Sequence, residues 1–154
     1  MMSKILAIGC DLHQLSRVRK IVDRDGLNSS KVKRLSERIL HPKNELVKFN
    51  ELKGSIDSQI AKTADLDRVI ESCCKILSVS WCCKEAVFKT LDSKDQKIFS
   101  FKDWYKINDI NGRPFIYNDN YLKSYQNEEF LLTISHDNDL IISTVLRQLN
   151  LSDN

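Results

Sequence analysis

From Arg68 to Leu91 the chain runs without a glycine or a proline, and Ile70, Cys73, Leu77, Trp81, Phe88 and Leu91 recur at threes and fours. That spacing keeps one apolar stripe on a 3.6-residue period and predicts a long core helix, with Asp67 as its N-cap. The same helix carries "WCCKEAVFK" (81 to 89), which sets Lys84, Glu85 and Lys89 among apolar positions where burying charge is costly.

On a helical wheel Glu85 lies about 40° from Trp81 and Phe88 about 20° to the other side, so the carboxylate shares the aromatic sector. A partly desolvated acid pairs with a base, takes a metal ion, or titrates at a raised pKa. Lys89 stands four residues beyond Glu85, in the favourable order for an ion pair worth only about 0.2–0.5 kcal/mol on an exposed helix. The alternative is a second carboxylate nearby, since Mg²⁺ is commonly held by one or two carboxylates plus water and phosphate oxygens. "KILAIGCDL" (4 to 12) reads as a buried strand that delivers Asp11 to its end, and Asp11 is the candidate.

The remaining pattern is α+β. Leu15, Val18 and Val22 form one helical stripe, and after Ser29-Ser30, a candidate N-cap, Val32, Leu35 and Ile39 form another. Residues 41–67 are polar and weakly periodic, as in a loop and short helix inserted between better-defined elements. "DWYKINDINGRPFIY" predicts two strands around a turn in which Asn111-Gly112 supply positive φ angles, 120–129 a short helix, and 130–149 two strands joined at "DND". The expected architecture is an antiparallel sheet packed against the long helix, in a single domain over 1–154 with the insertion at 41–67. A chain of 154 residues, 42% hydrophobic, suffices for one core of that kind.

Charge is unevenly placed. Gln14 to Lys43 holds nine Lys/Arg against three acids, a local +6 in a chain of net +3. Such a field attracts acidic proteins, nucleic acids or anionic lipids. RNA recognition would interleave aromatics with the basic residues, and this stretch has none. No run of about 18 apolar residues is present to span a membrane, and no targeting segment is readable. The five cysteines, Cys10, Cys73-Cys74 and Cys82-Cys83, are odd in number and partly vicinal, which suits a reducing compartment. On one helix the two vicinal pairs do not converge on a zinc ion.

"IGCDL", "WCCKEAVFK", "NGRP" and "ISHDNDL", in that order, resemble the signature set of the 4′-phosphopantetheinyl transferases, specifically the small stand-alone holo-acyl-carrier-protein synthases. The resemblance covers about residues 5–146 and implies that family's fold. It implies that Asp11 and Glu85 together bind Mg²⁺, and that Lys84 and Lys89 lie near the phosphates of coenzyme A. Gly112, Arg113, Pro114, Ser135 and His136 are implied to line the coenzyme A cleft, which in trimeric members lies between subunits, so that a homotrimer is expected. Arg17 matches a basic position that contacts the acidic carrier protein, and Arg24 lies on the same basic stretch. Departures from the pattern are His13, where a glutamate or small polar residue is frequent, Cys82-Cys83 in place of small residues, and Ser80 in place of arginine.

The expected activity is transfer of 4′-phosphopantetheine from coenzyme A to a serine of apo-acyl-carrier protein, with Mg²⁺ as cofactor and Glu85, Lys89 and His136 as catalytic candidates. The rival is a catalytically silent basic module that holds an acidic carrier or RNA, but charge-driven binding needs neither Asp11 nor Glu85. The resemblance to eukaryotic stand-alone members also implies a role in fatty acid synthesis in the mitochondrion, with the cytoplasm as the alternative.

Overall fold

The computed structural model describes residues 2–55 and 63–151, and its chain begins with the strand β1 (Met2–Gln14). Three helices follow, α1 (Leu15–Asp25), α2 (Ser30–Ile39) and, after a π-helical turn at Pro42–Leu46, α3 (Val47–Gly54). The long helix is α4 (Thr63–Phe88), and beyond it come α5 (Ser93–Lys97), β2 (Tyr105–Asn108), β3 (Pro114–Tyr117), α6 (Asp119–Ser124), β4 (Glu128–Asp137) and β5 (Leu140–Leu151). The strands form one antiparallel sheet in the order β1-β5-β4-β3-β2. Within 41–67 the described part is thus the π-helical turn, α3 and the start of α4; residues 56–62 lie outside the described residues.

Helix α4 is 26 residues, about 39 Å at 1.5 Å per residue, long enough to serve two cores. Its first half packs against α1, α2 and α3 through Val18, Val22, Val32, Ile39, Phe49, Cys73 and Leu77. The second half packs on the sheet through Cys83, Ala86 and Val87 against Ile116, Phe130 and Val145, with Trp104 closing the end. The expected cap at Asp67 is corrected, because the helix already runs at Thr63 and Asp67 accepts a hydrogen bond from Arg19 at 3.1 Å. Ser29 does cap α2, its Oγ accepting from the Val32 N–H at 3.2 Å.

Full burial of the first strand is also corrected. Helix α4 covers one face of the sheet, and on the other face Ile8 and Leu12 are 64% and 56% exposed. The pairing register places Ile8 beside Leu146 and Leu131, and Leu12 beside Ile142, so the open face is an apolar surface several strands wide. The β2–β3 turn differs in detail too: of its residues only Gly112 has positive φ, +82°, while the Asp109 carboxylate accepts from the Asn111 and Arg113 N–H groups. An Asx-type turn does the work expected of Asn111.

One contact decides how β1 meets α4. A Cβ on Gly9 would lie 2.1 Å from the Ala86 carbonyl oxygen, so strand and helix backbones touch here with no side chain between them. The buried thiols of Cys82 and Cys83 fill the adjoining space, Cys82 donating to the carbonyls of Asp11 at 3.4 Å and Ile141 at 3.6 Å. Burial pushes these thiols up, to about 11 and about 12, so they remain protonated and serve as small apolar side chains. Gly9→Ala is expected to cost about 1–3 kcal/mol or more, because the obstructing atom is backbone and cannot rotate away. Urea denaturation measures it, and an unchanged midpoint would contradict the contact.

Candidate active site

The Gly9–Ala86 contact sets the second half of β1 beside the last turns of α4, with Asp11 two residues beyond the glycine, inside the strand and not at its expected end, and Glu85 one residue before the alanine. Lys89 joins them: its Nζ donates to Asp11 Oδ1 at 2.8 Å and to the Cys10 carbonyl at 2.7 Å. Glu85 is half-buried and has no hydrogen bond or ion pair among the described residues. Burial raises its pKa first and the Asp11 carboxylate raises it further, against a lowering by Lys89. The Asp11 hydrogen bond, in turn, raises the pKa of Lys89. Of the two readings of Glu85, the ion pair with Lys89 is not formed: Lys89 pairs with Asp11, and Glu85 is left without an ion-pair partner among the described residues.

Two carboxylates with one unpartnered member are an all-oxygen donor set suited to a hard divalent cation. Among the described residues no third His, Cys, Asp or Glu joins them, which leaves further positions on such a cation to water or phosphate oxygens. His13 lies on the same strand, 6% exposed, with its ring 6.5 Å from that of Trp81 and its Nε2 without a partner among the described residues. Burial and then Arg17 lower its pKa, so it is an interior imidazole held neutral.

Lys84 lies elsewhere. Its side chain is 0% exposed, and its Nζ donates to the Ile39 carbonyl and to Glu45 Oε2. Lys84, expected near coenzyme A phosphates, has its ammonium buried against Glu45 and the Ile39 carbonyl in this conformation. Glu45 takes four hydrogen bonds, from Lys84, the Ser80 hydroxyl and the backbone N–H groups of His41 and Lys106. The sequence reading missed Glu45, because it lies in the polar stretch taken for an insertion. The available signal was an acid three residues after a proline that opens a helical turn, a position from which a carboxylate can reach back to the preceding backbone N–H.

The sequence profile of the 4′-phosphopantetheinyl transferase superfamily matches residues 7–145. The chain belongs to that superfamily. A Schizosaccharomyces pombe protein named "Putative holo-[acyl-carrier-protein] synthase" is 25% identical over 141 residues, 92% of this chain and 94% of that one. The holo-ACP synthase of Plasmodium yoelii superposes with a TM-score of 0.68 at 19% identity, covering 98% of this chain and 100% of that one. The Helicobacter pylori enzyme, solved in complex with coenzyme A, gives 0.58 at 21% identity, with 92% and 99% covered. These likenesses show that the fold is the transferase fold, an α+β sheet packed on a long helix.

Within this phosphopantetheinyl transferase the other candidate residues stand apart from Asp11. His136 and Ser135 are exposed on β4, and the register carries His136 through Ile141 to His13, two strands and about 10 Å away from β1. Gly112, Arg113 and Pro114 lie at the β2–β3 turn, and β3 is three strand spacings, about 14 Å, from β1. Arg113 is exposed, its guanidinium 5.5 Å from the centroid of the Phe115 ring. On the basic helices Arg24 pairs with Asp25 at 2.9 Å, while Arg17, Lys20, Arg34 and Arg38 are exposed with no acid partner among the described residues.

Lys84→Met would leave Glu45 buried without a counter-charge and is expected to destabilise by about 3–5 kcal/mol. Adding Glu45→Gln should return part of that loss. Guanidinium denaturation reads both. Undiminished stability with weakened coenzyme A binding would instead restore Lys84 as a phosphate contact.

Proposed function

We propose that this chain is a Mg²⁺-dependent holo-[acyl-carrier-protein] synthase, moving 4′-phosphopantetheine from coenzyme A to a serine hydroxyl of an apo-acyl-carrier protein. The observation that carries this reading is the juxtaposition of Asp11, Glu85 and Lys89 at the Gly9–Ala86 contact, in a chain whose superfamily match runs from 7 to 145. The serine oxygen attacks the phosphorus on the pantetheine side of the coenzyme A diphosphate. As that bond forms, the bond from this phosphorus to the bridging oxygen breaks, and adenosine 3′,5′-bisphosphate departs with the electron pair. Little covalent chemistry falls to the protein, so positioning and charge stabilisation dominate.

Asp11 and Glu85 would hold the divalent cation, which when bound supplies positive charge to the diphosphate. Lys89 is the residue placed to donate to non-bridging oxygens and to the leaving phosphate. His136 is two strands away from β1, so Glu85, or a water held by the cation, is the better candidate to receive the serine proton. The unpaired guanidinium and ammonium groups of Arg17, Lys20, Arg34 and Arg38 would steer an acidic carrier toward this end of the molecule. The mitochondrion and its fatty acid synthesis are the proposed setting, on the resemblance to eukaryotic stand-alone members.

A homotrimer belongs to the same proposal, supported by two observations. The outer face of the sheet exposes Ile8, Leu12, Leu140 and Ile142 together. The Gly112–Pro114 turn and the His136 strand end are also too far from Asp11 to share its diphosphate within one subunit, and a neighbouring copy could bring them there. If so, Arg113→Ala and Glu85→Ala, each inactive alone, should regain activity when their subunits are mixed and allowed to exchange. Persistent inactivity despite proven exchange would favour a self-contained site.

The direct test is incubation with coenzyme A, Mg²⁺ and apo-carrier, read by intact mass; no phosphopantetheinyl gain on the carrier would defeat the assignment. Glu85→Gln tests the metal ligand separately. A raised folded-state pKa means that Glu85 contributes stability below its ordinary value of 4.5 and loses it as pH rises through the folded value. Without metal, the variant should therefore match or exceed the wild-type melting temperature at pH 7, with the gap closing in acid. Mg²⁺ should stabilise the wild type and leave the variant unchanged, and turnover should fall about a hundredfold or more. A variant that melts lower yet still turns over would remove Glu85 from the metal site.

A further inference from the structure

The Asp11 carboxylate is held by an ammonium group. Lys89 Nζ lies 2.8 Å from Asp11 Oδ1 and 2.7 Å from the Cys10 carbonyl. Its backbone is fixed, since the Lys89 N–H donates to the Glu85 carbonyl at 3.1 Å at the end of α4. The ammonium is not fixed: the side chain is 45% exposed and its four-carbon stem can swing several ångströms without moving the helix. Asp11, Glu85 and Lys89 together sum to a charge of about −1, which repels a diphosphate. A divalent cation on the two carboxylates brings the sum to about +1, and it also repels the ammonium that occupies Asp11.

We propose that Lys89 and the divalent cation exchange on Asp11: Lys89 neutralises the carboxylate in the metal-free protein, and the cation displaces its ammonium outward to the diphosphate of coenzyme A. This rests on the reading of Asp11 and Glu85 as metal ligands. Lys89 then competes with the metal and cooperates with the nucleotide, so one substitution has opposite effects on the two ligands. Metal also becomes a precondition for tight coenzyme A binding, and linkage requires coenzyme A to tighten metal binding by the same factor.

The experiment is a titration with Mn²⁺, monitored by electron paramagnetic resonance of the free ion, on wild type, Lys89→Met and Lys89→Arg, followed by calorimetric titration of coenzyme A at saturating Mn²⁺. Lys89→Met should bind Mn²⁺ alone about two- to fivefold more tightly, the range set by loss of a half-exposed ion pair, and should bind coenzyme A more weakly. Lys89→Arg, which keeps charge and reach, should resemble the wild type in both, and its denaturation midpoint serves as the check on folding. Equal or weaker Mn²⁺ binding by Lys89→Met overturns the exchange while leaving the metal site in place. Failure of the wild type itself to bind Mn²⁺, with or without coenzyme A, overturns both the exchange and the metal assignment.

Discussion

The buried ion pair between Glu45 and Lys84 is the joint on which the rest of the molecule is assembled. Taking two charges out of water is costly, and the pair is tolerable only because every acceptor position of Glu45 is used. Its donors come from His41 just before the π-helical turn, from two positions on α4 and from the first strand of the hairpin, so one carboxylate ties together segments that are 39 and 61 residues apart in sequence. The helical layer and the sheet are also tied at the start of α1, where the Ser16 N–H and hydroxyl donate to the Asp139 carboxylate at 2.7 and 2.8 Å. A second ionic joint acts at the far end, where buried Arg147 forks onto Glu128 at 2.7 and 2.9 Å and caps the Thr90 carbonyl at 3.1 Å.

With α4 held in place, steric closeness at Gly9 determines the chemistry. A strand normally approaches a helix no nearer than their side chains allow, and removing a Cβ on one side while keeping only Ala86 on the other lets the backbones meet. Acids that both chain segments would otherwise present to water are thereby brought together, and burial, with the Asp11 carboxylate adding to it, leaves Glu85 with a raised pKa. The local destabilisation is the property a cation site needs, since the cation relieves it. Electrostatic strain of this kind is tolerable in a domain whose other buried charged side chains, Glu45, Lys84, Asp95 and Arg147, all have hydrogen-bond partners.

The helix-borne charges divide accordingly into two jobs that their spacing alone does not separate. Lys84, Glu85 and Lys89 lie within six residues, yet Lys84 points into the helical layer while Glu85 and Lys89 point to the second half of β1. Angular separation on the helix explains the split: successive residues are about 100° apart, so neighbours in sequence meet different partners. Two surfaces of opposite character are exposed elsewhere on the molecule, the apolar outer face of the sheet and the basic residues of α1 and α2 that have no acid partner among the described residues.

Much of the architecture was legible because it is encoded by local periodicity. The stripes at Val18 and Val22, at Val32 and Ile39, and along α4 report helices directly, and Ser29 and Gly112 mark a cap and a turn by their own chemistry. Asp11, Glu85 and Lys89 were also identifiable as a charged group on elements destined for the core, and the order of motifs pointed to the superfamily. What the chain's local pattern could not hold was pairing at a distance: that Lys84 would spend its charge on Glu45, that Lys89 would choose Asp11 over Glu85, and that β1 would be covered on one face only. Those outcomes depend on which surfaces the packed helices and strands bring within a few ångströms, and Coulomb and hydrogen-bond energies act on that distance, not on separation along the sequence.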